Sequence, residues 1–375
     1  MKISSLQENL KTSLFIVSHI AGKNINLPIL NNVLIEALNG KIKLVSTDLE
    51  IGIVSVVRGK IEEEGTFTVE AKILSDYISL LPNKKVDIIK KENKIKIECD
   101  NYKTSINGQE SEEYPLIPQV EKNEYYKVKS DDFKQALSQV IFAVSTSETR
   151  AELSGVLFDF NSKNLTLAAT DSFRLAEKKI EIQTNTKEER NIIVPAKTLQ
   201  EVLRILSSLK NEDLNSEAQE ITFYISDNQI LFVLGNTELV SRLIEGQYPD
   251  YKQIMPSTSK TKAIINKGEL LRAVKAASLF SKSGVNDVNL DFPLGKNKTV
   301  VSSTSGQSGD NISELDSSVK GEDNGIVVNF KYLLDGINNI EGENIFIQVV
   351  DGETPCLLKG ENNGSYSYII MPIKQ

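Results

Sequence analysis

The chain has 375 residues, of which 40% are hydrophobic and 25% are charged, and its formal net charge is −8. This composition is that of an ordinary globular protein, and no apolar run approaches the roughly 18–20 residues that a membrane-spanning helix needs. Taken over the whole chain, the negative charge disfavours tight nucleic-acid binding, although binding depends on where the charges lie.

The N-terminus and the cysteine content both predict a cytoplasmic protein without a membrane partner. The first ten residues lack the apolar core of a signal peptide. Two cysteines, Cys99 and Cys356, provide no disulfide framework, and each lies in an apolar, strand-like run. We therefore expect both to be buried as small hydrophobic residues.

The first third of the chain predicts two helices among several strands. Residues at helical spacing predict a helix from Leu6 to Gly22, with its apolar face formed by Leu6, Leu10, Leu14, Val17 and Ala21. Strands are predicted at 27–37, 41–47, 66–69 and 93–99. A second helix is predicted to begin near Ala71 and to end at Pro82, with an inward face of Ile73, Leu74, Tyr77, Ile78 and Leu81. The polar segment 121–127 is predicted to be a linker.

The middle third repeats this order. Ser130 is a good N-cap for a helix whose apolar stripe runs from Phe133 to Val144. Strands are predicted at 151–160 and 165–176, and the second of these is interrupted by a turn at Thr170-Asp171. A strand at 192–197 leads into another helix, and residues 221–235 predict a hairpin around Asp227-Asn228.

The last third follows the same pattern less clearly. The third copy starts near Lys262, and Leu270, Leu271, Val274 and Ala277 predict a helix that ends near Gly284. Strands follow at 288–294, 298–304 and 325–331. A final helix begins near Phe330, and three strands at 344–350, 356–360 and 365–375 close the chain.

The spacing of marker residues indicates threefold duplication. A threonine that ends a strand precedes a lysine that opens a helix by 25, 27 and 27 residues, in the pairs Thr47 and Lys72, Thr170 and Lys197, Thr304 and Lys331. The three strand-to-helix junctions are VEAK, VPAK and VNFK. Since this period is too long for a solenoid, each copy should be an α+β domain with two helices on one side of antiparallel sheets. The predicted domains are 1–121, 126–259 and 260–375.

Recognisable catalytic or metal-binding motifs are missing from the sequence. The one histidine, His19, lies inside the first predicted helix and is expected to be structural. Asp48 and Asp171 recur at the same turn, where aspartate usually caps its own backbone. Two alternatives stay open at this point: a carboxylate-based cytoplasmic hydrolase built on these aspartates, and a repeat protein that binds peptides without DNA. No cofactor or metal is expected.

Charge is distributed unevenly along the chain. The six predicted helices together carry a small net positive charge, so the rest of the chain is more acidic than the total indicates. A helix-lined surface facing phosphate would fit this division, and so would ordinary amphipathic helices.

Several segments together resemble the bacterial DNA polymerase III β subunits, the sliding clamps of the DNA clamp family. The segments are LPIL (27–30), STDLEIG (46–52), ELSGVLF (152–158), ATDSFRLA (169–176), YPDY (248–251) and the Met-Pro pair at 371–372. The resemblance covers essentially the whole chain and is weakest between residues 285 and 325.

The resemblance implies a ring-forming head-to-tail homodimer that encircles duplex DNA without sequence preference. Such a protein has no catalysis of its own and tethers the polymerase, so processivity comes from topology. The residues expected to face DNA are Lys23, Asn24, Lys72, Arg150, Lys197 and Arg204. Asn24 stands where family members usually have a basic residue. The dimer contact is expected to pair the strand near Ile106 with Leu279 and Phe280 of the partner.

The resemblance also implies a pocket for QLxLF-like peptides of partner proteins. These partners are the DNA polymerase III α subunit, the clamp loader, and other polymerases and repair proteins. The matching pocket positions are Leu153, Thr170, Ser172, Phe173, Arg174, Leu175, Pro249, Ile254, Pro355, Ile369, Met371 and Pro372. Phe173 replaces a common histidine or tyrosine, and Gln253 stands where some members have arginine.

Overall fold

The computed structural model describes residues 1–22, 26–147, 149–209, 220–361 and 363–374. Its contacts divide the chain into two compact units. Unit 1 contains Met1–Asp131, Ile182–Lys187 and Lys197–Leu243, and unit 2 contains Asp132–Glu181, Glu188–Ala196 and Ile244–Gln375.

The first third of the chain contains nine strands and two helices among its described residues. In chain order these are β1 (Lys2–Leu6), α1 (Gln7–Val17), β2 (Asn32–Leu38), β3 (Lys41–Thr47), β4 (Ile51–Val57), β5 (Gly59–Glu63), β6 (Gly65–Glu70), α2 (Ala71–Leu80), β7 (Lys85–Lys91), β8 (Lys94–Cys99) and β9 (Tyr102–Gln109).

The middle third has the same order of elements. It contains β10 (Tyr126–Lys129), α3 (Ser130–Val140), β11 (Gly155–Phe160), β12 (Asn164–Thr170), β13 (Arg174–Glu181), β14 (Gln183–Thr184), β15 (Arg190–Pro195), α4 (Ala196–Ser208), β16 (Glu220–Ile225), β17 (Gln229–Leu234) and β18 (Thr237–Arg242). The predicted hairpin around Asp227-Asn228 is confirmed by the pairing of β16 with β17.

The last third differs by having one long strand where the others have two. It contains β19 (Thr261–Asn266), α5 (Lys267–Ser278), β20 (Asp287–Phe292), β21 (Lys298–Ser305), β22 (Gly309–Gly321), β23 (Asn324–Asn329), α6 (Phe330–Asn339), β24 (Asn344–Val349), β25 (Cys356–Gly360) and β26 (Asn363–Ile370). The predictions of threefold duplication and of an α+β fold with antiparallel sheets are confirmed, while the exact domain boundaries stay a prediction.

Several predicted boundaries were wrong. Leu6 ends β1 instead of opening the helix, and α1 ends at Val17 instead of near Gly22. The carbonyl oxygens of Phe15 and Ile16 in its last turn accept hydrogen bonds from the guanidinium of Arg204. The segment 27–37 begins with a 3₁₀ turn at Pro28–Asn31, since proline lacks the N–H that a strand ladder needs. The predicted linker 121–127 already includes the start of β10.

The predicted inward face of α2 was also wrong in part. Ala71, Leu74 and Ile78 are buried, whereas Ile73 is 46% exposed. Leu80, at the end of the helix, is 80% exposed. A ten-residue helix buries one narrow stripe, and the second apolar stripe of α2 faces outward.

Each unit is built on one continuous antiparallel sheet. In unit 1 the strand order is β14-β10-β16-β17-β18-β4-β3-β2-β6-β9-β8-β7-β1-β5. In unit 2 it is β15-β11-β12-β13-β26-β25-β24-β19-β22-β21-β20-β23. Both sheets join strands from two consecutive repeats, through β4 with β18 and through β13 with β26. The units therefore do not coincide with the repeats, because sheet hydrogen bonds cross the repeat boundaries.

The repeats agree in detail at the turn after β3 and β12. Thr47 Oγ1 donates to Ile51 O at 2.9 Å, and Thr170 Oγ1 donates to Arg174 O at 2.6 Å. The third residue of each turn, Leu49 or Ser172, has a left-handed φ of 77° or 79°. The same backbone is held in both places although the side chains differ.

The cores agree with their apolar composition. Cys99 and Cys356 are buried and free, as predicted, and burial raises the pKa of the Cys356 thiol to about 12. Among the described residues, none of the helices has the length and apolar character required to cross a membrane.

Gly336 provides a test of the packing of α6 on β26. A Cβ at this position would lie 2.2 Å from the ring of Tyr368, which is fully buried and donates its hydroxyl to Tyr332 O. Alanine normally favours a helix interior over glycine by about 1 kcal/mol. We nevertheless expect Gly336→Ala to lower the free energy of unfolding by roughly 1–3 kcal/mol through overpacking, measured by denaturant titration. Gly336→Ala with Tyr368→Leu should recover part of this loss, and a stabilising effect of Gly336→Ala alone would contradict the packing.

Candidate functional site

Several hydrogen bonds between side chains and backbone hold the turn between β12 and β13 in unit 2. Asp171 Oδ1 accepts from the backbone N–H groups of Phe173 and Arg174 at 2.9 and 3.0 Å. Ser172 N donates to Thr170 Oγ1 at 3.1 Å. These bonds fix the backbone of the turn, so the side chains of Ser172 and Phe173 project outward, and both are exposed.

Arg174 ties this turn to two other elements of unit 2. Its guanidinium donates to Asp171 Oδ2 at 3.0 Å, to Asp335 Oδ2 on α6 at 2.5 Å and to Phe142 O at 2.8 Å. It also lies 4.7 Å from the ring centroid of Tyr332. With its side chain 11% exposed, Arg174 holds the turn against α6 and Phe142 more than it offers donors to a ligand.

The residues beneath this turn are apolar, and the region of the predicted peptide pocket that they form with the turn is called the unit 2 cleft below. Leu175 on β13 pairs with Ile369 on β26, and both are fully buried. They form a core cluster with Ala168, Tyr251 and Leu357, and three partly buried residues pack against it, namely Leu157, Tyr248 and Met255.

The rim carries exposed apolar side chains. Phe173 is 60% exposed and stacks on Tyr332, with ring centroids 6.4 Å apart and planes inclined by 16°. Met371 N donates to Phe173 O at 2.9 Å, which places the C-terminal segment beside the turn. Ile254 is 40% exposed. An apolar floor with an exposed aromatic rim is typical of sites that hold hydrophobic anchors of a partner.

Tyr251 carries a polar contact into this apolar cluster. Its hydroxyl donates to Glu177 Oε2 at 2.6 Å. Burial, reinforced by the hydrogen bond to Glu177, raises the pKa of Tyr251 well above its ordinary value. Tyr251 therefore stays neutral and the hydrogen bond persists over the physiological pH range.

The predicted pocket residues all belong to unit 2 and divide by exposure. Four are buried: Leu153, Thr170, Leu175 and Ile369. Five are half-buried: Arg174, Pro249, Pro355, Met371 and Pro372. Three are exposed: Ser172, Phe173 and Ile254. The assignment of these residues to a peptide pocket stays a prediction.

Sequence reasoning missed several residues that shape the cleft. Tyr248, Tyr251 and Leu157 lie inside the motifs YPDY and ELSGVLF, so the motifs themselves were the signal. Tyr332 and Asp335 on α6 and the carbonyl of Phe142 are far from the cleft in sequence, and no local pattern indicated them.

The recurring aspartates are engaged in structural contacts. Asp48 Oδ1 accepts from the N–H groups of Glu50 and Ile51, and its Oδ2 accepts from Lys197 Nζ at 2.6 Å. That hydrogen bond raises the pKa of Lys197. Asp171 has the equivalent backbone contacts and an arginine partner. Both carboxylates cap their own turns, as predicted. Among the described residues, no three His, Cys, Asp or Glu side chains come together as metal ligands.

Two predicted DNA-facing arginines make contacts within the protein. Arg150 donates to Glu152 Oε1 and to Ser172 Oγ, both at 3.0 Å, so it lies beside the unit 2 turn. Arg204 donates to Glu201 and to the last carbonyls of α1, and its side chain is 19% exposed.

His19 and Glu201 complete the contacts of Arg204. His19 follows α1 instead of lying inside it, and its Nδ1 contacts a carboxylate oxygen of Glu201, which is 7% exposed. These contacts join the end of α1 to α4 inside unit 1. For Arg204 they support a bracing role between the two helices.

Three lysines occupy the same place in the repeats. Lys72, Lys197 and Lys331 each stand second in α2, α4 and α6, and all three are exposed. The helix dipole disfavours a cation in the first turn, and for Lys197 the ion pair with Asp48 offsets this effect. The residues predicted to face DNA include Lys72 and Lys197 but not Lys331, which lies in the third junction, VNFK. Lys23 and Asn24 lie outside the described residues.

The three predicted dimer residues differ in exposure. Ile106 on β9 is 7% exposed, whereas Leu279, just after α5, is 73% exposed and Phe280 is half-buried. The contact itself is untested and stays a prediction.

Three family models match consecutive parts of the chain. Those of the N-terminal, central and C-terminal domains of the DNA polymerase III beta subunit match residues 1–118, 127–250 and 252–374. The chain belongs to the DNA polymerase III beta subunit family. This agrees with the order of the repeats and with the resemblance of the sequence motifs.

Relatives and solved structures of this family match over nearly the full length. The beta sliding clamp of Staphylococcus aureus is 32% identical over 358 residues, which cover 93% of this chain and 92% of the relative. A putative DNA polymerase III beta subunit from Eubacterium rectale superposes with a TM-score of 0.91 at 30% identity, covering 100% of both chains. The DNA polymerase sliding clamp of Bacillus subtilis superposes with a TM-score of 0.92 at 28% identity, covering 100% of this chain and 99% of the other.

Membership of the family assigns the general function. The chain has the three-domain clamp fold, and its function is that of a DNA sliding clamp, the non-catalytic processivity subunit of DNA polymerase III. DNA and a polymerase are therefore its partners. The hydrolase alternative is not supported, which agrees with the capping roles of Asp48 and Asp171.

Arg174 offers a test of how the cleft is held in shape. We expect Arg174→Ala to lower the free energy of unfolding by about 2–4 kcal/mol. The substitution removes a largely buried guanidinium, which donates hydrogen bonds to Asp171, Asp335 and Phe142 O. Chemical denaturation would measure the loss. The matched control is Arg190→Ala, whose ion pair with Glu188 is more exposed and should contribute little. Equal effects of the two substitutions would contradict the bracing role of Arg174.

Proposed function

We propose that two copies of this chain close head to tail into a ring around duplex DNA, in the cytoplasm. In this proposal the unit 2 cleft tethers partners through QLxLF-like peptides. The partners are the DNA polymerase III α subunit, the clamp loader, and other polymerases and repair proteins. The main support for the proposal is strand pairing between repeats. Two such pairings occur within the chain, and the strands equivalent to them at the two ends of the repeat series have a free edge among the described strands.

Strand edges that are paired in two repeats are open in the third. β4 pairs with β18, and β13 pairs with β26, each time joining one repeat to the next. The strand equivalent to β4 and β13 is β22, and over residues 309–316 its one partner among the described strands is β21. The strand equivalent to β18 and β26 is β9, and over residues 102–107 its one described partner is β8. Each chain thus offers two complementary open edges, which a second copy can pair.

The internal repeats also predict the register of this contact. Val54 lies opposite Glu238 between β4 and β18. The equivalent residues are Ile312 on β22 and Lys103 on β9, so these two are expected to face each other across the dimer. Ile312 is 66% exposed in the single chain, and pairing with a second chain would bury this apolar side chain.

The exposed stripe of α2 supports the same contact. Ile73, Tyr77 and Leu80 occupy positions equivalent to Thr198, Val202 and Ile205 of α4. The three α4 residues are almost fully buried within unit 1, whereas Ile73 and Leu80 are exposed. An apolar stripe that is covered in one repeat and uncovered in another fits an interface completed by a second chain.

A cysteine pair tests the proposed register. We expect Lys103→Cys combined with Ile312→Cys to form a disulfide-linked dimer under mild oxidation, because directly opposite residues have Cβ atoms about 4.5–5.5 Å apart. Non-reducing electrophoresis would detect the product at twice 41.6 kDa.

The control for the cysteine pair is Lys103→Cys combined with Asn311→Cys. Adjacent residues of a strand point to opposite faces, so this pair should cross-link poorly. Equal cross-linking of the two pairs would contradict the register. A mass of a single chain for the wild type at micromolar concentration would contradict the dimer.

The unit 2 cleft supports the proposed role in peptide binding. Its floor of Leu175 and Ile369 is apolar, and its rim exposes Phe173 and Ile254. A short peptide with leucine and phenylalanine anchors can bury both side chains there. The contacts of Arg174 and Asp171 hold the turn in place before binding, which reduces the entropy lost on association.

A labelled Gln-Leu-Ser-Leu-Phe peptide tests the cleft. We expect Met371→Ala to weaken its binding about tenfold, corresponding to about 1.4 kcal/mol, because truncation removes part of the apolar rim. Fluorescence anisotropy would measure the dissociation constant. The control is Leu116→Ala, in unit 1, whose side chain is 95% exposed. Unchanged affinity of Met371→Ala would contradict the assignment of the pocket.

The repeated lysines support DNA contacts of low specificity. Lys72, Lys197 and Lys331 are exposed, long and flexible, and are placed alike in three repeats. Such side chains can reach phosphates without reading bases, so contacts exchange readily and sliding is permitted.

Retention on circular DNA tests the topological mechanism. Protein assembled on a nicked circle should stay bound during gel filtration and should be lost after the circle is cut, because a closed ring can leave only over an end. Blocking both ends of the linear DNA with bound proteins should restore retention. Equal retention on open linear DNA would show that affinity, and not confinement, holds the protein.

A further inference from the structure

Unit 1 contains a second copy of the turn that forms the unit 2 cleft. Asp48 caps Glu50 and Ile51 as Asp171 caps Phe173 and Arg174. The neighbouring strand also repeats its contact: Arg242 N donates to Glu50 O at 3.1 Å, as Met371 N donates to Phe173 O at 2.9 Å. The backbone scaffold of the cleft is therefore present twice in the chain.

The floors of the two copies correspond as well. Gly52 pairs with Val240 in unit 1, as Leu175 pairs with Ile369 in unit 2. The side chain of Ile117 lies about 3 Å from where a Cβ of Gly52 would be. Ile117 therefore occupies the place that the side chain of Leu175 occupies in unit 2. Both floors are apolar and covered.

The rims of the two copies differ in charge. Glu50 stands where unit 2 has Phe173, and Arg242 stands where it has Met371. Both Glu50 and Arg242 are exposed. Val120 is 7% exposed, whereas its counterpart Ile254 is 40% exposed. The unit 1 copy thus presents two charges where the unit 2 cleft presents apolar side chains.

This difference determines what each copy can bind. Burying a leucine or phenylalanine anchor against Glu50 and Arg242 would remove two charges from water without new partners, which is strongly unfavourable. The same anchor against Phe173 and Met371 removes apolar surface from water on both sides, which is favourable.

We propose that unit 1 holds a latent copy of the peptide-binding cleft, and that Glu50 and Arg242 are the residues that keep hydrophobic peptides out of it. The proposal rests on the peptide-binding role of the unit 2 cleft. One consequence is that each chain binds one peptide although it contains two copies of the scaffold. A second consequence is that exchanging the two rim residues should move peptide binding from one copy to the other.

Reciprocal exchange of the rim residues tests the proposal with the Gln-Leu-Ser-Leu-Phe peptide. Calorimetric titration should give one peptide per chain for the wild type. Phe173→Glu with Met371→Arg should give none, and Glu50→Phe with Arg242→Met should give two. All four substitutions together should give one, and a photoreactive peptide should then cross-link to unit 1. Thermal unfolding of each variant checks that the fold is intact.

The outcomes separate the two proposals. Two peptides per wild-type chain, or binding left after Phe173→Glu with Met371→Arg, would show that the unit 1 copy is already open and would overturn the latent state. If the folded variant with Glu50→Phe and Arg242→Met gains no second site, the rim charges are not what excludes the peptide from unit 1. A wild type without any binding would remove the peptide-binding role itself, and this inference with it.

Discussion

The structure depends on antiparallel pairing between the edges of consecutive repeats. β4 with β18 and β13 with β26 convert separate α+β copies into two continuous sheets, and every feature of the candidate cleft is attached to one such junction. An open strand edge is a template for further pairing. Among the described strands, the first and last repeats each keep one edge without a partner, and the same strand pairing that joins the repeats would join two chains in the proposed ring.

Duplication allows the same scaffold to carry different chemistry. The turn of Thr170 and Asp171 is held by the same hydrogen bonds as the turn of Thr47 and Asp48. The backbone contacts come from the threonine and aspartate that both turns share, so the outward positions can differ between the repeats. At two equivalent rim positions unit 2 has Phe173 and Met371, whereas unit 1 has Glu50 and Arg242.

Processivity by confinement places modest demands on individual contacts. A clamp that held DNA by affinity would resist sliding, whereas a closed ring needs only weak, exchangeable contacts with phosphate. The exposed lysines at the starts of α2, α4 and α6 fit this requirement. Arg204 shows the contrast, since its guanidinium is occupied in closing the end of α1.

The sequence by itself determined the threefold duplication, the fold class and the family, because these follow from residues close together in the chain: period-two strands, the turn at Thr170-Asp171 and the strand-to-helix junctions. Only the tertiary structure decided what each side chain contacts. In the structure Arg174 forms an ion pair with Asp335 on α6, and Arg150 donates a hydrogen bond to Ser172. Ile73 and Leu80 of α2 are exposed. The structure also showed that the compact units follow the sheets instead of the repeats. The physical reason is that hydrogen bonds between strand edges and burial of a helix face join residues more than a hundred positions apart, and local periodicity carries no information about such partners.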